Sequence, residues 1–257
     1  MVRYSNWMQW FENEVFWRTF YPYMFNQRKL ESAAGEVDRV LALSGVTGGR
    51  VLDLCCGPAR HSRILAERGF QVTGVDRSPF LLEKAREAVR GTDIELVECD
   101  MRDFVRPGAF DLALSLFTSF GYFESRDEDV GVLRNVRASL KPDGVFVIDV
   151  ISKEYLLSQR QPTHWERWPT GEIQVHHYEV VPGWGRIRVE WLLVDGERAR
   201  HFEIQHSLYS GQELLALLER AGFSEVRLFG SLDGAPYDAV ATRLIAVASA
   251  ARAAQNL

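Results

Sequence analysis

The chain has 257 residues, 46% hydrophobic and 25% charged, the balance of an ordinary soluble globular protein and long enough for one large α/β domain with an insertion. A formal net charge of −5 gives no support to a nucleic-acid partner, which calls for a basic face, and no apolar run is long enough to span a bilayer. Cys55, Cys56 and Cys99 form neither a CxxC pair nor a disulfide framework, so they read as small buried residues of a protein in a reducing cytoplasm.

From Asn6 to about Tyr21 the spacing is helical: Trp7, Trp10, Phe11, Val15, Trp17 and Tyr21 fall on one broad face. Glu14 and Arg18 sit within it four residues apart, where they can pair. The stretch lacks the basic start and cleavage site of a secretory signal. A second helix is expected over Glu31–Leu43. Strand and helix then alternate. Arg50–Leu54 reads as a buried strand, His61–Arg68 as a helix stopped by Gly69, and Gln71–Val75 as a second strand. Ser78-Pro79 opens a helix reaching about Arg90, with Ser as cap and Pro at the first helical position. Ile94–Val97 and Phe110–Leu116 follow as strands. Ser125 and Glu128 make a capping box for a helix ending near Leu140, Lys141–Gly144 reads as a turn, and Val145–Val150 as the fifth strand. Short joints between alternating elements imply a parallel sheet covered on both faces.

The pattern changes after Ile151. Ile173–Val180, Arg186–Val194 and Arg200–Leu208 read as three strands divided by Pro182-Gly183 and Asp195-Gly196, an antiparallel sheet inserted into the main domain. Ser210 and Glu213 form another capping box, for a helix to about Ala221. Glu225–Phe229 and Arg243–Ala248 are the last two strands.

The chemistry concentrates at strand ends. In Val51-Leu52-Asp53-Leu54-Cys55-Cys56-Gly57-Pro58-Ala59-Arg60 a buried strand runs into a tight loop and a helix start, which lets a ligand approach the backbone beside a helix N-terminus. Asp76 ends the second strand, where a carboxylate can accept both hydroxyls of a ribose. Asp100 ends the third, where it can accept an adenine amine while Met101 packs on the ring. Three carboxylates at adjacent strand ends suit a sulfonium ligand with an ammonium group and suit a pyrophosphate poorly. A dinucleotide-binding Gly-x-Gly-x-x-Gly would need glycine at Ala59 and Ser62, and neither is present.

On these residues the chain resembles the class I S-adenosylmethionine-dependent methyltransferases, closely over about Arg50–Val150 and loosely over the last helix and hairpin. Members carry Asp-x-Gly-x-Gly-x-Gly after the first strand; here Asp53 is followed by Cys55, Gly57 and Ala59 at the glycine positions. Ala59 is tolerated at negative φ, whereas positive φ would cost about 1 kcal/mol or more. The resemblance implies S-adenosylmethionine as cofactor, held by Asp53, Cys55, Gly57, Ala59, Asp76 and Arg77 in the first two loops. Asp100, Met101, Leu116 and Phe117 are the expected contacts from the third and fourth strand ends, and Arg28 meets the cofactor carboxylate or lies on the surface. No metal is expected.

The segment Leu116-Phe117-Thr118-Ser119-Phe120-Gly121-Tyr122-Phe123 resembles the loop of glycine and amino-sugar N-methyltransferases, with Tyr122 at their histidine position. Tyr122 either orients the acceptor by its hydroxyl or packs beside Phe120 and Phe123. His206 shares its strand face with Phe202, Ile204 and Leu208 and reads as a base or as a satisfied core histidine. By the same parity His177 points inward with Ile173 and Val175, and His176 outward.

The expected fold is therefore α/β: a Rossmann-like, seven-stranded, mostly parallel sheet with a helical N-terminal lid and an antiparallel β insertion. The expected division is a lid over 1–47, the methyltransferase domain over 48–151 and 210–250, and the insertion over 152–209. The expected function is methyl transfer to a small-molecule acceptor, with an amine favoured. A small-molecule O-methyltransferase and a non-catalytic S-adenosylmethionine-binding protein are the alternatives. The acceptor is the expected partner, with a homodimer left open and nucleic acid and membrane disfavoured.

Overall fold

A computed structural model describes residues 2–4 (backbone), 9–159 and 161–250. Seven strands form the main sheet: β2 (Arg50–Leu54), β3 (Gln71–Asp76), β4 (Glu95–Glu98), β5 (Phe110–Ser115), β6 (Leu140–Val150), β11 (Phe223–Phe229) and β12 (Leu244–Ala250). Their order is β11-β12-β6-β5-β2-β3-β4, with β12 antiparallel to β6 and to β11 and the remaining pairs parallel. The strand order reverses beside β2, whose neighbours are β3 and β5, and in open α/β sheets ligands bind at such a reversal, outside the carboxyl ends.

Alternation along each strand feeds two cores. Val51, Leu112, Leu114 and Val147 face helices α2 (Gln27–Ser44) and α3 (Arg60–Glu67). Leu52, Ala113, Phe146 and Ile148 face α5 (Arg126–Ser139) and α7 (Gly211–Arg220). Both expected capping boxes are formed, Ser125 with Glu128 and Ser210 with Glu213. Helix α4 (Pro79–Ala88) has Ser78 as N-cap and Pro79 in its first turn.

A second sheet of five strands has the order β1-β10-β9-β8-β7. The three strands expected after Ile151 are β8 (Ile173–Val180), β9 (Arg186–Asp195) and β10 (Arg198–Ser207), antiparallel to one another. Edge strands β1 (Val2–Tyr4) and β7 (Thr163–Arg167) and the short helix α6 (Lys153–Ser158) extend what the sequence pattern shows. Every residue of β7 is exposed, so it carries no apolar alternation to read.

The N-terminal expectation needs correction. Asn6 and Trp7 lie outside the described residues. Trp10–Glu12 is a 3₁₀ turn, and α1 spans Glu14–Met24, started by the Asn13 side chain accepting from the Val15 and Phe16 N–H groups. Glu14 does not pair with Arg18. It accepts from Ser78 Oγ at 2.8 Å and Phe80 N–H at 3.1 Å, satisfying the N-terminus of α4, while Arg18 lies over the Phe80 ring. A tertiary acceptor of orphan helix N–H groups outcompetes a solvent-exposed i,i+4 pair. Phe16 and Phe20 pack on Ile187, Val189, Phe202 and Ile204, so α1 joins the second sheet to the first. Lys141–Gly144 is likewise no turn; β6 runs through it with a register shift against β5.

Glu14→Ala should therefore loosen the seam between α1 and α4. The expected cost is about 1–2 kcal/mol, from two lost bonds to a charged acceptor at a helix start. A urea midpoint equal to wild type would mean the contact contributes nothing.

Candidate functional site

The loop leaving β2 turns back through left-handed conformations at alternate residues: Cys55 (φ 62°), Gly57 (φ 55°) and Ala59 (φ 60°). All three positions of the glycine-like motif thus use positive φ, and the condition under which Ala59 would have been free of strain is not met. The turn is held by its neighbour strand. Asp76, at the end of β3, accepts the Gly57 N–H at 2.9 Å and the Ser78 N–H at 2.9 Å, and the Cys56 N–H reaches the Val75 carbonyl at 3.0 Å. Burial pushes the Asp76 carboxyl up to about 6, against those two backbone bonds. Asp53 is 3% exposed and accepts the Ser62 hydroxyl at 2.6 Å. Burial, reinforced by the neighbouring carboxylates, raises the Cys55 and Cys56 thiols, so neither is a thiolate nucleophile.

These residues border a cavity of about 420 Å³ between the carboxyl ends of the main sheet and the inner face of the second sheet. Of the residues expected to contact the cofactor, Asp53, Cys55, Gly57, Asp76, Arg77 and Asp100 line it, and so do Met101, Leu116 and Phe117. Burial pushes the Asp100 carboxyl up, but bonds from Arg102 (2.8 and 3.0 Å) outweigh it and the net shift is downward. Two expected residues are absent from the wall. Ala59 is fully buried one layer back, at the start of α3. Arg28 is exposed on α2, and its neighbour Lys29 lines the cavity instead.

Arg60, 9% exposed, is among the cavity-lining cations that the sequence did not single out. It pairs with Glu36 of α2, donates to the Lys29 carbonyl at 3.1 Å and lies 4.4 Å from the Phe117 ring centre. His61 shares the same carboxylate at 2.8 Å. Burial opposes ionisation of Glu36, yet bonds from His61 and Ser32 and the Arg60 charge bring it down to about 2. Arg60 directly follows Ala59, the third glycine-like position of the loop, and that place at the start of α3 was its sequence signal.

The opposite half of the cavity is aromatic, with Trp10, Trp17, Tyr122, Tyr178 and Trp191 in its wall. Tyr122 does face the cavity, and it also packs on Trp10 and Phe11 at ring separations of 4.7 and 5.8 Å. Its hydroxyl donates to the Thr118 carbonyl, and enclosure raises its pKa, so it stays protonated. His206, 6% exposed, also lines the cavity. Its Nδ1 lies 3.0 Å from the Ser207 carbonyl, which can only accept; the proton is on Nδ1 and Nε2 keeps its lone pair. Burial lowers His206 to about 4.

The inward histidine of β8 is His176, not His177. His176 stacks on Trp191 at 4.1 Å and burial brings it down to about 4, whereas His177 bonds Thr163 on the exposed side. Apolar parity misleads here because the covered face of β8 looks onto a cavity of mixed polarity and carries Gln174, His176 and Tyr178. Among the described residues, no group of three or more His, Cys, Asp and Glu side chains could hold a metal.

A mostly parallel sheet with its strand order reversed at β2, an acidic set of strand ends and a second sheet closing the mouth make the arrangement that the sequence resemblance implies. Residues 51–144 match the family described as "Methyltransferase domain". A putative methyltransferase, YqeM, of Bacillus subtilis is 36% identical over 40% of this chain, which spans only 43% of that relative's length. The cypemycin N-terminal methyltransferase of a Streptomyces species is 27% identical over 85% of this chain and 90% of its own. The solved structure of the CcbJ methyltransferase from Streptomyces caelestis superposes with a TM-score of 0.75 at 20% identity, covering 86% of this chain and 90% of that one, a likeness of fold. Residues 51–144 thus carry a methyltransferase domain, and S-adenosylmethionine is its methyl donor.

Glu36→Ala should leave the Arg60 guanidinium buried without its counter-charge. A loss of about 3–5 kcal/mol in chemical denaturation is expected; a loss below 1 kcal/mol would show that water replaces the carboxylate.

Proposed function

We propose that the protein transfers the methyl group of S-adenosylmethionine to the uncharged nitrogen of a small amine bound in the aromatic half of the cavity. In this reading residues 1–47 cover the donor, 48–151 and 210–250 hold it, and 152–209 roof the acceptor. Asp76 receives the ribose hydroxyls, Asp100 and Met101 the adenine, and the turn at Cys55–Gly57 the remainder. Arg60 and Lys29 take the carboxylate role expected of Arg28. The donor supplies an activated methyl on a sulfonium, a cation that the carboxylates of Asp53, Asp76 and Asp100 suit. Three free cysteines fit a reducing compartment, and we place the enzyme in the cytoplasm.

The observation that carries the choice of an amine is the hydrogen-bond polarity of the wall. Tyr122 spends its proton on the Thr118 carbonyl and His206 spends its own on the Ser207 carbonyl. Toward the cavity both present lone pairs, which accept N–H bonds and aim the nitrogen lone pair at the methyl carbon. The nitrogen lone pair would form the C–N bond as the C–S bond breaks, the C–S electron pair passing to the departing thioether sulfur and the amine becoming an ammonium that neighbouring ring faces stabilise. A hydroxyl acceptor needs a base near neutral pKa; a histidine at about 4 and a tyrosine that keeps its proton supply none. The N-terminal methylation named for the cypemycin relative is also transfer to an amine.

Donor affinity should depend on pH through Asp76. Its free-state pKa is about 6, above the usual aspartate value, and the ribose bonds require the carboxylate. Affinity for S-adenosylhomocysteine is therefore full above pH 7 and falls as pH drops through 6, about tenfold by pH 5. Calorimetry across pH 5–8 checks this, with Asp76→Ala expected to bind about 2–3 kcal/mol more weakly at neutral pH. A flat wild-type profile would remove Asp76 from the ribose.

Tyr122→Phe tests the acceptor side. With the best amine from a screen, turnover should fall about tenfold while S-adenosylhomocysteine affinity holds. Stability should drop by about 1 kcal/mol, since the Thr118 carbonyl loses its donor. An unchanged rate would make Tyr122 a packing residue; collapse of donor binding would assign it to the donor wall.

A further inference from the structure

The segment after β5 carries an unusual backbone. Phe117 and Thr118 are consecutive left-handed residues, at φ 58° and 63°. Neither is glycine and threonine is β-branched, so such a pair persists only where its surroundings over-determine it. Three elements do so. From β6, the Asp149 carboxylate accepts the Phe117 N–H at 3.0 Å, and the Asp149 carbonyl accepts the Thr118 N–H at 2.9 Å. Arg243, just before β12, donates from Nε to Asp149 at 2.6 Å and from Nη2 to the Thr118 hydroxyl at 2.9 Å. Arg60 of α3 covers the Phe117 ring. Asp149 is 2% exposed, and a carboxylate so buried needs its partner.

What this geometry fixes is the Thr118 carbonyl, the group to which the Tyr122 hydroxyl donates. Released from the left-handed region, residue 118 would re-aim that carbonyl and free the hydroxyl to turn. We propose that Arg243 and Asp149 are positioning residues: they clamp Phe117 and Thr118 left-handed and thereby set the direction in which Tyr122 faces the acceptor. The importance of that direction for methyl transfer rests on the function proposed above; the clamp itself is testable without an acceptor.

The probe is 3-fluorotyrosine, incorporated at the eight tyrosines, with the Tyr122 fluorine resonance assigned by its loss in Tyr122→Phe. Arg243→Gln should shift or broaden that resonance. Adding Thr118→Gly should bring it back, because glycine takes positive φ without a clamp. General loosening of the fold would not be repaired by a glycine. Should Arg243→Gln fail to fold around an unpaired Asp149, Arg243→Gln/Asp149→Asn removes both charges and is read in the same way. A Tyr122 resonance unmoved in either folded variant overturns the clamp. In turnover with the best amine from the screen, kcat should fall about tenfold, with KM and S-adenosylhomocysteine affinity within threefold; a loss carried by KM instead overturns the positioning role. If wild type methylates no amine while the resonances behave as expected, the clamp stands and the proposed acceptor class falls.

Discussion

The Asp76 carboxylate is the fixed point of this molecule. It is buried, it ends β3, and its oxygens receive the N–H groups of Gly57 and Ser78. One bond fastens the loop after β2 and the other the start of α4, so one side chain ties together the two turns that frame the acidic half of the cavity. Left-handed backbone at Cys55 and Ala59 is tolerable because this anchoring, the Cys56–Val75 bond and the buried seat of Ala59 leave the loop no alternative path. A carboxylate held near a pKa of 6 stores the cost of that burial, which a ligand bringing hydroxyl donors relieves.

The same economy recurs at the next strand ends. Asp149 resembles Asp76 in kind: a buried carboxylate accepts a backbone N–H from the left-handed loop that follows a neighbouring strand, Phe117 after β5 as Gly57 after β2. Glu36 acts between helices, binding Arg60 and His61 and so turning a guanidinium toward the cavity. The aromatic half of the cavity is built on the opposite plan. Rings from α1, β8 and β9 enclose it, and its buried histidines are neutral. The wall carboxylates Asp53, Asp76 and Asp100 thus gather on one side of the cavity and its aromatic rings on the other, the division on which the proposal of a cationic donor and an uncharged nucleophile rests.

Much of this was legible in the chain. Buried strands and capped helices from Arg50 to Val150 show themselves because their periodicity, caps and strand-end carboxylates are local properties of a sheet covered on both faces. Asp53, Asp76, Asp100 and Met101 could be placed because they lie at or within three residues of the carboxyl ends of β2, β3 and β4, the edge of a parallel sheet that borders the cavity. Legibility fails where a residue's partner is distant in sequence. Glu14 looked like half of an intrahelical pair, but its partners are Ser78 and Phe80. His176 and His177 differ only by parity, and parity cannot tell an apolar core from a cavity.

The sequence by itself determined the α/β class, the acidic ring of strand ends and the alanine and cysteine at motif positions where glycine is usual, because each follows from residue type at a fixed local spacing. Tertiary structure alone decided that Lys29 and Arg60 line the cavity while Arg28 does not, and that Arg243 reaches back to Thr118. It also decided that Tyr122 and His206 each hand their proton to a backbone carbonyl. Those outcomes depend on which atoms meet across 125 residues of chain or between two sheets, and hydrogen-bond direction exists only once both partners are in place.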